Sequence, residues 1–310
     1  MANRVGKIDL DAYLMAAGEF SAYAKRAKEY ADLLHKELDP AKSERTTPSM
    51  FSTKLRDRMV FRSSGTTAWC GYSGHRKSMF VGQVAADLCM QRQRVLIVSL
   101  EMRPEVTLAR IARQMSGTKH PSREWLDEFL AWSNQYLWLF DFQGRLSPKL
   151  ACAACAWFAD TQLGHHVVLD SMMMVCESEE HLDVQKQLAT DLVRLAQETF
   201  LHVHLVAHCR KPADGQESKP PSKHDLRGSA AITDQMDNVI TVWANKPKQR
   251  KLEADPNDMA AINEPDALVT VEKQRAGSWE GRVKLWFDEA SLRFCDDRTS
   301  SLQPYPMRKE

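Results

Sequence analysis

The run Gly71-Tyr72-Ser73-Gly74-His75-Arg76-Lys77-Ser78 contains the residue types needed to hold phosphate oxygens. Glycines let successive backbone N–H groups turn toward one anion, and a helix starting near Ser78 would add the positive end of its dipole. Lys77 could reach the outer phosphates and Ser78 could ligate Mg²⁺. The usual spacing is G-x-x-x-x-G-K-[ST], and here Arg76 stands where the glycine before the lysine is expected. If that position needs φ > 0, an arginine costs on the order of 1–2 kcal/mol. Alternatively the loop takes a φ that arginine accepts, and the guanidinium adds charge near the phosphates. Alone, the segment reads as a nucleotide loop or as an ordinary glycine turn.

Other residues gain chemical meaning from their places at strand ends. Glu101 follows the apolar run Val95–Ser99, where a carboxylate could polarise an attacking water; a plain acidic helix start before Pro104 is the alternative. Asp170 ends the run His165-His166-Val167-Val168-Leu169, which is how a strand carries an acid to Mg²⁺ or its water. The methionines 172–174 that follow suit core filling. In His202–His208, period two puts His202, His204 and His208 on one face, which permits a metal site. A single terminal His208 sensing a γ-phosphate fits the strand-end rule better. Lys273 and Arg275, two apart at another strand end, form a pair of cations aimed at phosphates.

The elements that must position these groups are legible as apolar runs. Strands are predicted at Thr67–Cys70, Val95–Ser99, Leu137–Phe142, Val167–Asp170, Val203–Ala207, Val239–Trp243, Leu268–Lys273 and Val283–Phe287. Helical periods fall at Ser78–Cys89, Val106–Met115, Lys149–Thr161 and Val184–Phe200. Apolar runs without alternation, separated by helices, predict an α/β fold with a mostly parallel sheet covered on both faces. The segment Arg275–Gly281 reads as a hairpin turn, and the polar stretches 210–225 and 244–267 as mobile loops. Residues 8–38 carry an apolar stripe (Leu10, Tyr13, Ala17, Phe20 through Leu38) that predicts one amphipathic helix, packed on its own domain or docked on a neighbouring subunit. This divides the chain into an N-terminal helix and linker (1–54), a central domain (55–295) and a tail (296–310).

Bulk properties narrow the classes. Lys plus Arg number 42 and Asp plus Glu 41, so nucleic-acid contact would need a local basic patch rather than an overall field. No apolar stretch approaches the ~20 residues that cross a bilayer, and no signal core opens the chain, so a membrane role is not expected. Seven cysteines at scattered positions suggest reduced thiols and a cytoplasmic setting. The C-x-x-C of Cys152 and Cys155 sits in an Ala-rich helical run and reads as helix packing rather than a metal or redox site.

Taken together, S-L-E-M at Ser99–Met102, the strand ending L-D-S at Ser171, the strand ending in His208, D-L-R-G-S-A-A-I at Asp225–Ile232 and E-K-Q-R-A-G at Glu272–Gly277, with K-L-W-F behind, resemble the motor motifs of hexameric replicative helicases. That group comprises the DnaB family, Twinkle and the phage primase-helicases, and the similarity spans about residues 55–290. The resemblance implies a RecA-like P-loop core using ATP and Mg²⁺, and a ring of identical subunits moving 5′→3′ on single-stranded DNA. Gly71 to Ser78 would bind the nucleotide, with Ser78 and Asp170 at Mg²⁺, Glu101 as general base and His208 as γ-phosphate sensor. Arg275, beside Lys273, would be an arginine finger supplied to the neighbouring subunit. Arg210, Lys211, Lys219, Lys223, Arg227 and Gly228 would contact DNA in a loop lining a central channel. A primase or loader would be a further partner. Two departures are visible besides Arg76: Asp234 stands where glutamine is expected, with Gln235 one place on, and no priming domain accompanies the motor. The competing readings are a RecA-like accessory ATPase or recombinase on single-stranded DNA, and a non-hydrolysing ring or loader subunit.

Overall fold

The central apolar runs become strands because each is buried on both faces. Among the described residues, β1 (Thr66–Cys70), β2 (Val95–Ser99), β3 (Leu137–Leu139), β4 (His166–Asp170), β5 (His202–Val206), β6 (Asn238–Ala244), β7 (Ala267–Gln274), β8 (Gly281–Asp288) and β9 (Arg293–Cys295) form one sheet. Their spatial order is β3-β2-β4-β5-β1-β6-β7-β8-β9. Strands β3 to β6 pair in parallel, and β7, β8 and β9 continue the sheet antiparallel. The computed structural model describes residues 26–37, 47–142, 144–176, 182–212, 217–228 and 230–307.

Alternate residues of β1 feed two cores. Trp69 packs with Phe61, Phe80, Met115 and Phe294 on one side; Ala68 and Cys70 pack with Phe158, Leu188, Leu192 and Met236 on the other. Helices Lys77–Met90, Pro104–Ser116 and Arg123–Ser133 cover the first face, while Pro148–Gln162 and Leu182–Thr199 cover the second. Their ends follow local chemistry. Pro104 occupies a first turn, Gly117 leaves that helix in the left-handed region (φ 73°), and Ser122 and Ser147 cap the next two through Trp125 N and Leu150 N. None of the described helices is long and apolar enough to cross a membrane.

Contacts divide the chain at Thr47/Pro48. In the first unit a 3₁₀ turn, Ala27–Tyr30, leads into a helix, Ala31–Glu37; residues 8–25 and 38 of the expected stripe lie outside the described residues. In the second, the chain beyond β9 runs back onto the body. Tyr305 N donates to Met115 O at 2.8 Å, and the Arg293 guanidinium stacks 4.0 Å from the Tyr305 ring centre.

Three expectations need correction. The stretch 244–267 is not a mobile loop but holds helices Lys246–Ala254 and Met259–Asn263. Its order comes from capping rather than apolar periodicity: Asn245 accepts from Lys248 N, Asp258 from Ala260 N and Ala261 N, and the buried Lys248 ammonium reaches Asp266 at 2.7 Å. β3 stops at Leu139, because after Phe140 N bonds Ile97 O the chain turns, Phe142 N returning to Phe140 O. Finally, His202 and His204 do not join His208. They cluster with His166 at the opposite end of the sheet, where His166 Nδ1 lies 3.2 Å from His204 Nε2 and Trp69 Nε1 donates to His204 Nδ1. Among the described residues no group of three His, Cys, Asp or Glu could hold a metal ion.

Candidate active site

Strands β2, β4, β5 and β1 are immediate neighbours and run in the same direction, so whatever follows each one arrives at a single sheet edge. Glu101 lies two residues past β2, Asp170 ends β4, His208 lies two past β5, and Gly71 follows β1 directly. Ser99 is in register with Asp170, and Cys209 N donates to Gly71 O at 2.9 Å, which locks the four ends together.

The loop itself turns at Gly71 and Gly74. A Cβ on Gly71 would collide with Val242 O, and Gly74 has φ 74°. Ser73 and Gly74 form the exposed tip. Arg76 is left-handed (φ 62°, ψ 20°), so the chain places an arginine in the conformation that glycine usually supplies. Its guanidinium does not face the loop's interior. It stacks 3.9 Å from the Phe287 ring centre and pairs with Glu289 at 2.5 Å. Of the two options for Arg76, the strained backbone is the one realised, and the added charge near the phosphates is not. His75 turns inward: Nδ1 accepts from Ala244 N at 3.2 Å and Nε2 lies 2.7 Å from Glu217 Oε2. Tyr72 is buried and offers its carbonyl to Lys77 Nζ at 2.8 Å.

A continuous polar chain crosses the edge. Lys77 Nζ sits 3.1 Å from His208 Nδ1, so the His208 proton is on Nε2, which faces Glu101 Oε1 at 3.6 Å. Ser171 Oγ donates to the same Glu101 oxygen at 2.5 Å. Those bonds, His208 first, hold the Glu101 carboxyl down to about 2 against the opposing effect of burial. Burial pushes the Asp170 carboxyl up and the Lys77 ammonium down, and the opposite charges beside each resist the shift. The Ser78 hydroxyl bonds Asp170, so hard oxygen donors converge beside the loop, a donor set that suits Mg²⁺. An ionised, half-exposed Glu101 and a buried cation–carboxylate pair can orient water and neutralise developing negative charge.

Lys273 and Arg275 are elsewhere. β7 is antiparallel, and its last residue pairs with Asn238 at the start of β6, which in turn pairs with Thr67 at the start of β1. Both cations therefore lie at the edge opposite the phosphate loop, on the order of 15 Å away along the strands. Arg275 pairs with Asp237 at 2.8 Å and donates to Asp234 O and Gln235 O; Lys273 donates to Thr233 O and Asp234 O. Both thus grip the end of helix Ala230–Gln235. Arg275 remains about half exposed.

The expected DNA segment is tied to the site by its base. Cys209 and Leu226 form an antiparallel bridge, Arg210 N donates to Asp225 O at 2.7 Å, and Arg227 N to His208 O at 2.8 Å. Arg210, Lys223, Gly228 and Lys273 line one open cleft of about 500 Å³ with Thr233 and Asp234. Lys219 and Arg227 are exposed, whereas Lys211 pairs with Glu217 at 3.4 Å. Gly228 has φ 108°, a conformation that favours glycine, and a Cβ there would press on the Gln185 amide. Ser171, Glu217 and Asp237 escaped the sequence reading. Ser171 was signalled by its place after Asp170, whereas Glu217 and Asp237 carry no local signal.

The model of the family described as DnaB-like helicase C terminal domain matches residues 61–296. The chain belongs to that family. As a DnaB-like helicase domain it is an ATP hydrolase of the helicase class with a RecA-like fold. A DnaB-like replicative helicase, solved in a study of its interactions with primase, superposes with TM-score 0.69 at 17% identity, covering 88% of this chain and 67% of that one. The ATPase domain of G40P superposes with TM-score 0.71 at 16% identity, covering 89% of this chain and 100% of that one. At such identities these two likenesses speak for the fold alone.

Proposed function

We propose that this DnaB-like chain is a replicative-type DNA helicase that assembles as a homo-oligomeric ring, a hexamer by family resemblance, and moves 5′→3′ along single-stranded DNA. The observation that carries this reading is the position of Arg275. It is half exposed at the sheet edge away from its own Lys77, farther than one arginine side chain spans, which supports a finger offered to another copy rather than to its own phosphate loop.

Within one protomer, Lys77 and the loop from Gly71 to Ser78 would hold the triphosphate, and Ser78 with Asp170 would hold Mg²⁺. The metal, when bound, supplies charge neutralisation on the phosphates. Glu101 orients the attacking water and His208 registers the γ-phosphate. The neighbour's Arg275, helped by Lys273, would stabilise the charge that develops on transfer, worth about 10³-fold or more. Because Arg227 N bonds His208 O, a move of His208 reaches the segment 210–228, where Arg210, Lys211, Lys219, Lys223, Arg227 and Gly228 would track the DNA backbone without sequence preference. We further propose the division 1–54, 55–295 and 296–310 as oligomerising helix and linker, motor and tail. A cytoplasmic, phage-type replication setting with a primase or loader as partner completes the reading.

Subunit mixing tests it. Lys77→Ala and Arg275→Ala proteins should each lose DNA-stimulated ATP hydrolysis, and their mixture should recover part of it, since some interfaces join an intact loop to an intact finger. The native mass of the mixture should be that of a closed ring. A mixture as inactive as its components would sink the trans assignment, and hydrolysis by a monomer would sink the ring.

A further inference from the structure

His75 belongs to the phosphate loop, yet its side chain is fully buried and faces away from the loop's tip. Both ring nitrogens are engaged. Nδ1 accepts from Ala244 N at the end of β6, so the ring proton is on Nε2 and points at Glu217 Oε2, 2.7 Å away. Burial holds the imidazole below its ordinary pKa, which keeps it neutral and a donor.

Glu217 is fixed in turn. Trp243 Nε1 donates to its carbonyl at 3.0 Å, and Lys211 Nζ approaches its second carboxylate oxygen at 3.4 Å. Glu217 therefore joins the phosphate loop to the cationic segment whose base is the Cys209–Leu226 bridge. On the loop side, the Tyr72 carbonyl accepts from both Lys77 Nζ (2.8 Å) and His75 N (3.3 Å). A triphosphate that draws Lys77 away removes one of those two donors and shifts the turn that carries His75.

We infer that His75 and Glu217 are a positioning pair that couples nucleotide in the phosphate loop to the arrangement of segment 210–228. The inference rests on reading these regions as the ATP and DNA sites. Such coupling is reciprocal, so DNA on the segment must change nucleotide affinity by the factor with which nucleotide changes DNA affinity.

The experiment measures the Kd of a non-hydrolysable ATP analogue with and without oligothymidylate, at fixed salt. Wild type, Glu217→Ala and Glu217→Gln are compared. In wild type, DNA should change the nucleotide Kd by about fivefold or more. Glu217→Ala should bring that ratio toward one while the Kd without DNA stays within about threefold. Glu217→Gln, whose amide oxygen can still accept from Nε2–H, should keep the ratio. A purely structural role would weaken folding or both affinities without moving the ratio. Glu217→Ala retaining the wild-type ratio would overturn the inference, as would a wild-type ratio of one with both ligands bound. Wild-type protein that binds the nucleotide analogue but no oligothymidylate would overturn the DNA reading itself, and the coupling with it.

Discussion

Lys77 and His208 share a hydrogen bond of 3.1 Å between Nζ and Nδ1. The residue that would grip phosphate and the residue that would sense it are thus one contact apart. His208 also links forward, since its carbonyl accepts from Arg227 N and its Nε2 faces Glu101. Any ligand that claims the Lys77 ammonium alters what His208 faces, and its chain neighbours anchor the segment proposed to meet DNA.

Glu101 is ionised at any working pH, because His208 and Ser171 hold its carboxyl down to about 2. Replacing it with Gln should leave nucleotide affinity within about threefold and cut turnover by about 10²-fold or more. Phosphate release and fluorescent-nucleotide titration on Glu101→Gln check both halves. Near-normal turnover would remove Glu101 as the base.

Arg76 makes a different prediction. Glycine there would relieve roughly 1–2 kcal/mol of left-handed strain. It would also lose the Phe287 stack, worth about 0.5–1 kcal/mol, and gain backbone entropy in the unfolded chain. Arg76→Gly should therefore change unfolding free energy by less than about 1 kcal/mol in urea. Nucleotide affinity should hardly move, because the guanidinium is committed to Phe287 and Glu289. A tenfold loss of affinity would mean that the guanidinium reaches phosphate after all.

The charge on segment 210–228 can be counted by salt. Each phosphate contact on a single strand contributes about 0.7 to the slope of log K against log salt. Lys219→Gln combined with Lys223→Gln should lower that slope by about 1.4. Fluorescence anisotropy with labelled oligothymidylate reads it, and an unchanged slope would exclude both lysines.

The three buried histidines predict acid sensitivity. The hydrogen bonds fix neutral tautomers: Trp69 donates to His204, His204 to His166, and His202 Nδ1 to Arg62 O at 2.6 Å. Burial lowers all three, His202 to about 4, so the unfolded chain binds protons more readily than the folded one. Stability should be full above about pH 6.5 and fall as pH drops toward 4, by on the order of 3 kcal/mol for His202 alone. Urea titrations at stepped pH measure the slope. His166→Phe, an aromatic replacement, should take about one proton out of it near pH 5. A slope unaltered by that change would show that the cluster is not the sensor.

Much of this was legible because of one rule of sheet geometry. In a parallel α/β sheet every strand delivers its following residue to the same edge, so Gly71, Glu101, Asp170 and His208 had to converge once β1, β2, β4 and β5 were recognised as buried runs. Boundaries also read well where periodicity was strong: β2 was expected at Val95–Ser99 and lies there, and helix Val184–Phe200 is seen as Leu182–Thr199. The helices in 244–267 escaped because caps and an ion pair between Lys248 and Asp266 stabilise them, and neither leaves an apolar stripe.

The amino-acid order by itself determined the family and singled out the candidate groups at the strand ends, since such motifs are local patterns. Only the tertiary structure decided where side chains point and which strand runs backward. Arg76 stacks on Phe287, His75 reaches Glu217, and the antiparallel β7 sends Arg275 to the far edge beside Asp237. The partners in these contacts are between 38 and 211 residues apart. No window of sequence contains both members of such a pair, and only the packing of the sheet brings them together.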